Sequence, residues 1–177
     1  SLAADATGVV WAGSESGVIS RIESEKVTTI APPAAMDAVV AIEAARDGSV
    51  WIGTRRSGLF RLAPGAARAS PVGGTLATLR TMSLREDADG NVWVGTNGQG
   101  LLRVGGPGVV AYSAANGFVS DTVVILAEDR EKGLWLGTGG SGLVQLRDTA
   151  LTPLGKVEGL SHDIVLATLE DREGTLW

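Results

Sequence analysis

The octapeptide DGNVWVGT, Asp89 to Thr96, decides how this sequence is read. Asp-Gly is a turn dipeptide and Val-Trp-Val alternates after it, so the phrase predicts a hairpin turn running into a strand. Nearly the same phrase returns as DGSVWIGT at Asp47 to Thr54 and KGLWLGT at Lys132 to Thr138. TGVVWAGS occupies Thr7 to Ser14, and EGTLW occupies Glu173 to Trp177.

The tryptophans fall at Trp11, Trp51, Trp93, Trp135 and Trp177, spaced by 40, 42, 42 and 42 residues. A fixed period of this size marks a repeat architecture. Gly13, Gly53, Gly95 and Gly137 follow two residues after a Trp, and Ser14, Thr54, Thr96 and Thr138 follow next. Ten residues after Trp stand Arg21, Arg61, Arg103 and Gln145; six before it stand Asp5, Asp87, Asp129 and Asp171, with Ala45 the exception.

One period holds about four strands. TVVILAED (Thr122 to Asp129) is a β-branched run, followed by GLWLGT, by SGLVQL (Ser141 to Leu146) and by a weaker strand around TALTPL (Thr149 to Leu154). The weaker strand is GVVAYS (Gly108 to Ser113) one period earlier. No segment carries a helical period. Four short strands per unit of this length describe an all-β, β-propeller fold of four-stranded antiparallel blades. A strand-and-helix solenoid fits neither the period nor the lack of helix.

Blades pack face to face, so a Trp at one fixed place per blade is expected to fill the space between sheets. The glycine two residues later points to the same side, and the expectation is that it leaves room for the next blade's ring. The repeat units are placed at residues 1–38, 39–80, 81–122 and 123–164, with 165–177 an incomplete fifth. An array with unclosed ends exposes sheet edges. The expectation is therefore part of a larger propeller, with further blades or another subunit at its open ends, and a closed four-bladed ring is the second choice.

Bulk composition narrows the function. A 44% hydrophobic and 20% charged chain of 177 residues is globular. A net charge of −5 argues against a nucleic-acid partner. No apolar run reaches spanning length, so this segment is expected to make no membrane contact. The absence of cysteine removes thiolate metal sites and cysteine nucleophiles.

DADGNVWVGTNGQGLLR (Asp87 to Arg103) and DREKGLWLGTGGSGLVQL (Asp129 to Leu146) resemble the two-component regulator propeller repeat. NGFVSDTV (Asn116 to Val123) and EGLSHDIV (Glu158 to Val165) are similar to that family's inter-blade segment. The first repeat departs with SESGV, and Ala44-Ala45 replace a Glu-Asp pair. The resemblance implies large, often seven-bladed, periplasmic sensor domains of bacterial hybrid histidine kinases. It also implies an unknown small molecule or glycan-like ligand, no cofactor, and any kinase activity outside this chain.

Three motifs with a chemical look read as structure. Gly137 to Gly142 matches G-x-G-x-x-G, but a dinucleotide site needs a helix afterwards and LVQL reads as a strand. Ser161-His162-Asp163 holds triad residue types, but sequence neighbours cannot assemble the relay, and His162 is the only histidine. Asp87-Ala88-Asp89-Gly90 fails as a calcium loop at Val92 and Trp93. The recurring acids fit turn-closing carboxylates that accept local amides. No catalytic or metal residue is assigned.

Residues that break the repeat are the better candidates for a ligand site. On the face shared by the second-to-third-strand loops and the inter-blade loops fall Arg55, Arg56, Asn97, Gln99, Ser120, Asp121, His162 and Asp163. Arg55 and Arg56 stand out because other repeats carry small or neutral residues there, and Arg suits carboxylate, phosphate or hydroxyl recognition. The expected function is a non-enzymatic ligand-sensing module. The alternatives are a propeller enzyme of the streptogramin-lyase type, with His162 as its only available base, and an interaction scaffold.

Overall fold

The computed structural model describes residues 1–33, 36–106, 108–147 and 150–177. Sixteen strands form four antiparallel four-stranded sheets, each sequential except for its turns. The first holds β1 (Leu2–Ala4), β2 (Val10–Gly13), β3 (Ile19–Glu23) and β4 (Lys26–Ile30); the second holds β5 (Val39–Ala44), β6 (Val50–Thr54), β7 (Leu59–Leu62) and β8 (Ser70–Pro71). The third holds β9 (Thr81–Glu86), β10 (Val92–Thr96), β11 (Leu101–Gly105) and β12 (Gly108–Tyr112). The fourth holds β13 (Val123–Glu128), β14 (Leu134–Thr138), β15 (Leu143–Arg147) and β16 (Ala150–Leu154), and the expected start of its last strand at Thr149 lies outside the described residues. Among the described residues helix is confined to three short 3-10 turns, one between β8 and β9, one between β12 and β13 and one after β16.

The chain divides into two compact units, Ser1–Leu84 and Arg85–Trp177. In the first, Trp11 and Ile19 of one sheet cluster with Val39, Ile42, Ile52 and Phe60 of the next. In the second, Trp93 and Leu101 cluster with Leu126, Leu134, Leu136 and Val144. Each cluster is thus built between two sheets. All five residues of β10 are buried, as a strand covered on both faces requires. Four of the five residues of β4 and of β12 are exposed, so polarity changes from strand to strand across a sheet more than along a strand.

Register explains why Trp and Arg keep phase: Trp11 lies opposite Arg21, Trp51 opposite Arg61 and Trp93 opposite Arg103. Each guanidinium sits over its indole, 5.9, 5.4 and 5.9 Å from the ring centroid. In the fourth sheet Gln145 opposes Trp135.

The conserved phase of the glycine has a different cause from the expected one. A Cβ on Gly13 would run into Val39, one on Gly53 into Thr81, and one on Gly137 into Ile125 and Val165. Gly13 and Gly53 make room for a β-branched side chain at the start of the following repeat, and Gly137 for Ile125 of its own sheet as well as Val165 of the next repeat, none of them for an aromatic ring. At Gly13, Gly53 and Gly137 the small residue and a β-branched residue form a matched pair between one repeat and the next.

Candidate functional site

The loop after each Trp strand is built the same way. Thr54, Thr96 and Thr138 are fully buried, and each hydroxyl donates to the carbonyl four residues on at 2.8, 2.8 and 2.7 Å. The same oxygens accept the amides of Ser57, Gln99 and Ser141 at 2.9, 3.0 and 2.8 Å. The loop is therefore pinned from below, and residues at its tip are left pointing outward.

In the first unit the tip carries Arg55 and Arg56, both exposed. The Arg55 amide donates to the Ala38 carbonyl at 2.9 Å. The Asp37 carboxylate accepts the Arg56 and Ser57 amides at 3.3 and 3.2 Å. Burial pushes the Asp37 carboxyl up, but hydrogen bonds from Arg56, Ser57 and Thr54 outweigh it and hold it below its ordinary value. The Arg55 guanidinium lies 3.5 Å from Glu15, with both side chains largely in solvent. That pair is weak, so the arginines stay available.

In the second unit Gly98 and Gly100 donate their amides to the Asp121 carbonyl at 2.8 and 2.7 Å, and Asn97 bridges to Thr122. This brings Asn97 and Gln99 beside Ser120 and Asp121. One repeat later Gly142 donates to the Asp163 carbonyl at 2.5 Å. The carboxylates of Asp121 and Asp163 accept the amides of Ala114 and Lys156 at 2.7 and 2.9 Å, which ties each connection to itself. Ser120 Oγ accepts the Thr122 amide at 3.2 Å, and His162 Nδ1, one period on, accepts the Ile164 amide at 3.0 Å. The histidine thus does a serine's turn-capping work, with Nδ1 taken up by a backbone amide. Gly142 leads directly into β15, so the glycine string opens a strand and not a phosphate-binding helix.

A profile described as "Two component regulator propeller" matches residues 75–98, from the connection before β9 to the loop after β10. That stretch of 24 residues is similar to the two-component regulator propeller repeat. No curated protein sequence matches significantly. Among solved structures, the chain is similar to the extracellular domain of BT4673 from B. thetaiotaomicron, which is described as belonging to a hybrid two component system. The TM-score is 0.77 at 20% identity, over 99% of this chain and 27% of that one. The S. aureus virginiamycin B lyase, in a catalytically inactive His-to-Ala form with quinupristin, gives 0.76 at 15% identity, over 99% and 61%. PorZ of Porphyromonas gingivalis, a surface component of the type-IX secretion system, gives 0.77 at 19% identity, over 99% and 30%. These likenesses fix the β-propeller fold, with each sheet one blade. The chain spans about a quarter of the length of the two-component structures it matches.

The propeller repeat also has a lock that the sequence suggested only as a spacing. In three repeats the Asp six residues before Trp takes the indole N–H on Oδ2, at 2.7 Å for Trp93, Trp135 and Trp177 alike. Its Oδ1 accepts the turn amides, those of Asp89 and Asn91 at 3.0 and 2.9 Å in the case of Asp87. Burial would raise the Asp87 carboxyl, but bonds from Asn91 and Trp93 prevail and keep it below the carboxylate range. In the first repeat Trp11 Nε1 is buried without a partner in hydrogen-bond geometry, although the indole lies close enough to help lower Asp5. The second repeat has Ala45 in place of the acid. There Asp47 bonds Ser49, and its Oδ2 takes the Arg61 guanidinium at 2.6 Å.

Proposed function

We propose that this propeller segment is a non-enzymatic ligand-sensing module of a bacterial two-component signalling protein, working outside the cytoplasm. Each unit offers its own surface for a small polar molecule, the loop after β6 in the first and the loop after β10 in the second, each with the connection beneath it. The observation that carries the reading is the loop construction. Buried threonines and Asp37 or Asp121 consume the loop's backbone donors, so Arg55, Arg56, Asn97 and Gln99 are held outward on a rigid base with their side chains uncommitted. Rigid ledges with free polar tips suit ligand capture at little ordering cost. The two-component regulator propeller match and the extracellular neighbours support the signalling context.

A thermal-shift screen of small polar metabolites and oligosaccharides tests the reading. A stabilising ligand should lose at least tenfold in affinity in Arg55→Ala/Arg56→Ala or in Asn97→Ala/Gln99→Ala. If every ligand found binds both double variants as tightly as the parent, the loop face is not the site. A lyase reading draws on the virginiamycin B lyase likeness. It requires His162→Ala to abolish turnover of a cyclic depsipeptide, and the turn-capping role of His162 speaks against that outcome.

A further inference from the structure

Within the second unit, the turn ends of β10–β12 and β13–β15 enclose a cleft of about 590 Å³. That volume lies in the range of small-molecule sites, roughly 300–1,000 Å³. Leu134 and Leu146, both buried, form an apolar lining, and Tyr112 stands beside Trp93 at 5.8 Å between ring centroids. Two of its residues, Lys132 and Tyr112, depart from the repeat in identity, and two, Arg103 and Asp89, depart in pairing.

Arg103 is the first departure. Arg21 is paired with Glu23 at 2.7 Å and Arg61 with Asp47 at 2.6 Å. Among the described residues Arg103 has the Trp93 ring and no carboxylate. Asp89, at the position of Asp47, carries no ion pair either. Lys132 has a left-handed backbone, φ +68°, where the other four turns have Gly8, Gly48, Gly90 and Gly174. A non-glycine residue in that conformation is strained, and strain of this kind is kept where a side chain has work to do. Tyr112 opposes Leu101 at the register where the first and fourth sheets place Ile30 and Leu154. Asp87, Glu128, Glu131 and Arg147 also line the cleft but are engaged, Asp87 by Asn91 and Trp93, Glu128 by the Ala88 amide and Glu131 by Arg147, so among the described residues the cleft presents two unpaired cations, Arg103 and Lys132, one unpaired carboxylate, Asp89, and an apolar, aromatic lining.

The matching cleft of the first unit, about 490 Å³, supplies a control. Its charged residues are Arg21, already paired with Glu23, and Asp5, whose Oδ1 is taken up by the Thr7 amide and hydroxyl and the Val9 amide; its other walls include Thr28 to Ile30 and the apolar turn Ala63 to Ala67. The repeat alone makes a crevice, and only the second unit furnishes it with open charges.

We propose that the second-unit cleft binds a small zwitterion with an apolar body, of the amino-acid or short-peptide class. Its carboxylate meets Arg103 and Lys132, its ammonium meets Asp89, and its side chains lie on Tyr112, Leu134 and Leu146. Arg provides the planar donors a carboxylate needs. The residues are separate from the loop face, so failure of one site leaves the other standing.

Titration calorimetry with L-leucyl-L-leucine on the 177-residue chain, at low salt, tests this. Saturable binding is expected, weakened at least tenfold by Arg103→Gln and by Asp89→Asn, and unchanged in Arg55→Ala/Arg56→Ala. The same dipeptide acetylated and amidated at its ends should not bind. Lys132→Gly guards against misfolding, because releasing the left-handed strain should raise the melting temperature while binding falls severalfold. Absence of binding by the free dipeptide overturns the proposal. So does equal binding of the capped dipeptide, or parental affinity in Arg103→Gln, Asp89→Asn and Lys132→Gly.

Discussion

Replacing Asp87 by Ala removes one carboxylate and four donors' acceptor at once. Oδ1 takes the Asp89 and Asn91 amides at 3.0 and 2.9 Å, and Oδ2 takes Asn91 Nδ2 at 2.9 Å and Trp93 Nε1 at 2.7 Å. The turn amides and the Asn91 side chain can reach water in the variant, so most of their loss is recovered. The indole cannot, because Trp93 is only 6% exposed. An orphaned buried donor costs about 1–3 kcal/mol, and the turn loses roughly another 1 kcal/mol of charge-assisted bonding. The expected total is about 2–4 kcal/mol. At roughly 2–4 °C per kcal/mol for a chain of this size, the melting temperature should fall by roughly 5–15 °C. Asp171→Ala is the internal comparison. It breaks the same motif around Trp177, which is 74% exposed, so water replaces the carboxylate and the melting curve should hardly move. Urea unfolding followed by circular dichroism measures both variants. Equal destabilisation by the two, or a negligible effect of Asp87→Ala, would refute the claim that burial of the indole sets the energy. The pH dependence carries a sign. Because Asp87 is held below its unfolded value, near 3.9 for an aspartate, its contribution is complete above about pH 4. It is lost as pH falls through the folded value, so Asp87→Ala should flatten acid unfolding below pH 4.

Three further outcomes follow from buried geometry. Thr96→Val should destabilise by about 1–3 kcal/mol in urea titration, because it strands the Gln99 amide and takes one of two donors from the Gly100 carbonyl, which keeps the Thr96 amide, whereas Thr96→Ser should be near neutral. Gly13→Val should lose about 1–3 kcal/mol by overpacking against Val39, and combining it with Val39→Ala should recover part of the loss in a double-mutant cycle. His162→Ala should lose about 0.5–1 kcal/mol in urea, and His162→Ser should restore it, since Ser120 caps the equivalent turn with a hydroxyl.

The fold was legible because its signals are local. Asp-Gly turns, Val-Trp-Val alternation and the 42-residue phase all lie within a hairpin's reach, and the observed strands fall where those signals put them. The role of Gly13 was not legible, because its neighbour Val39 lies 26 residues away and the contact depends on how two sheets stack. The Arg–Trp stacking was half visible: a spacing of ten residues is in the sequence, but that it means an opposed pair needs the register. The candidate loop residues could be placed by phase, whereas the grouping of Asp37 with Arg56 could not, since 19 residues and a strand pair separate them. Arg103 reads as one more copy of the repeating arginine. Only coordinates show that its usual carboxylate is missing.

The lock between Asp and Trp closes over six residues, within a single hairpin. The contact between Gly13 and Val39, Gly53 and Thr81, or Gly137 and Val165 closes between one repeat and the next. A unit copied whole brings its own lock, so duplication of the segment needs no change inside it. What a new copy must honour is a rule of succession: offer a glycine to the repeat that follows and a β-branched residue to the one before. Lengthening or shortening such an array is thereby reduced to matching two side chains per seam, which gives recombination between unequal repeats a ready route to a different number of blades.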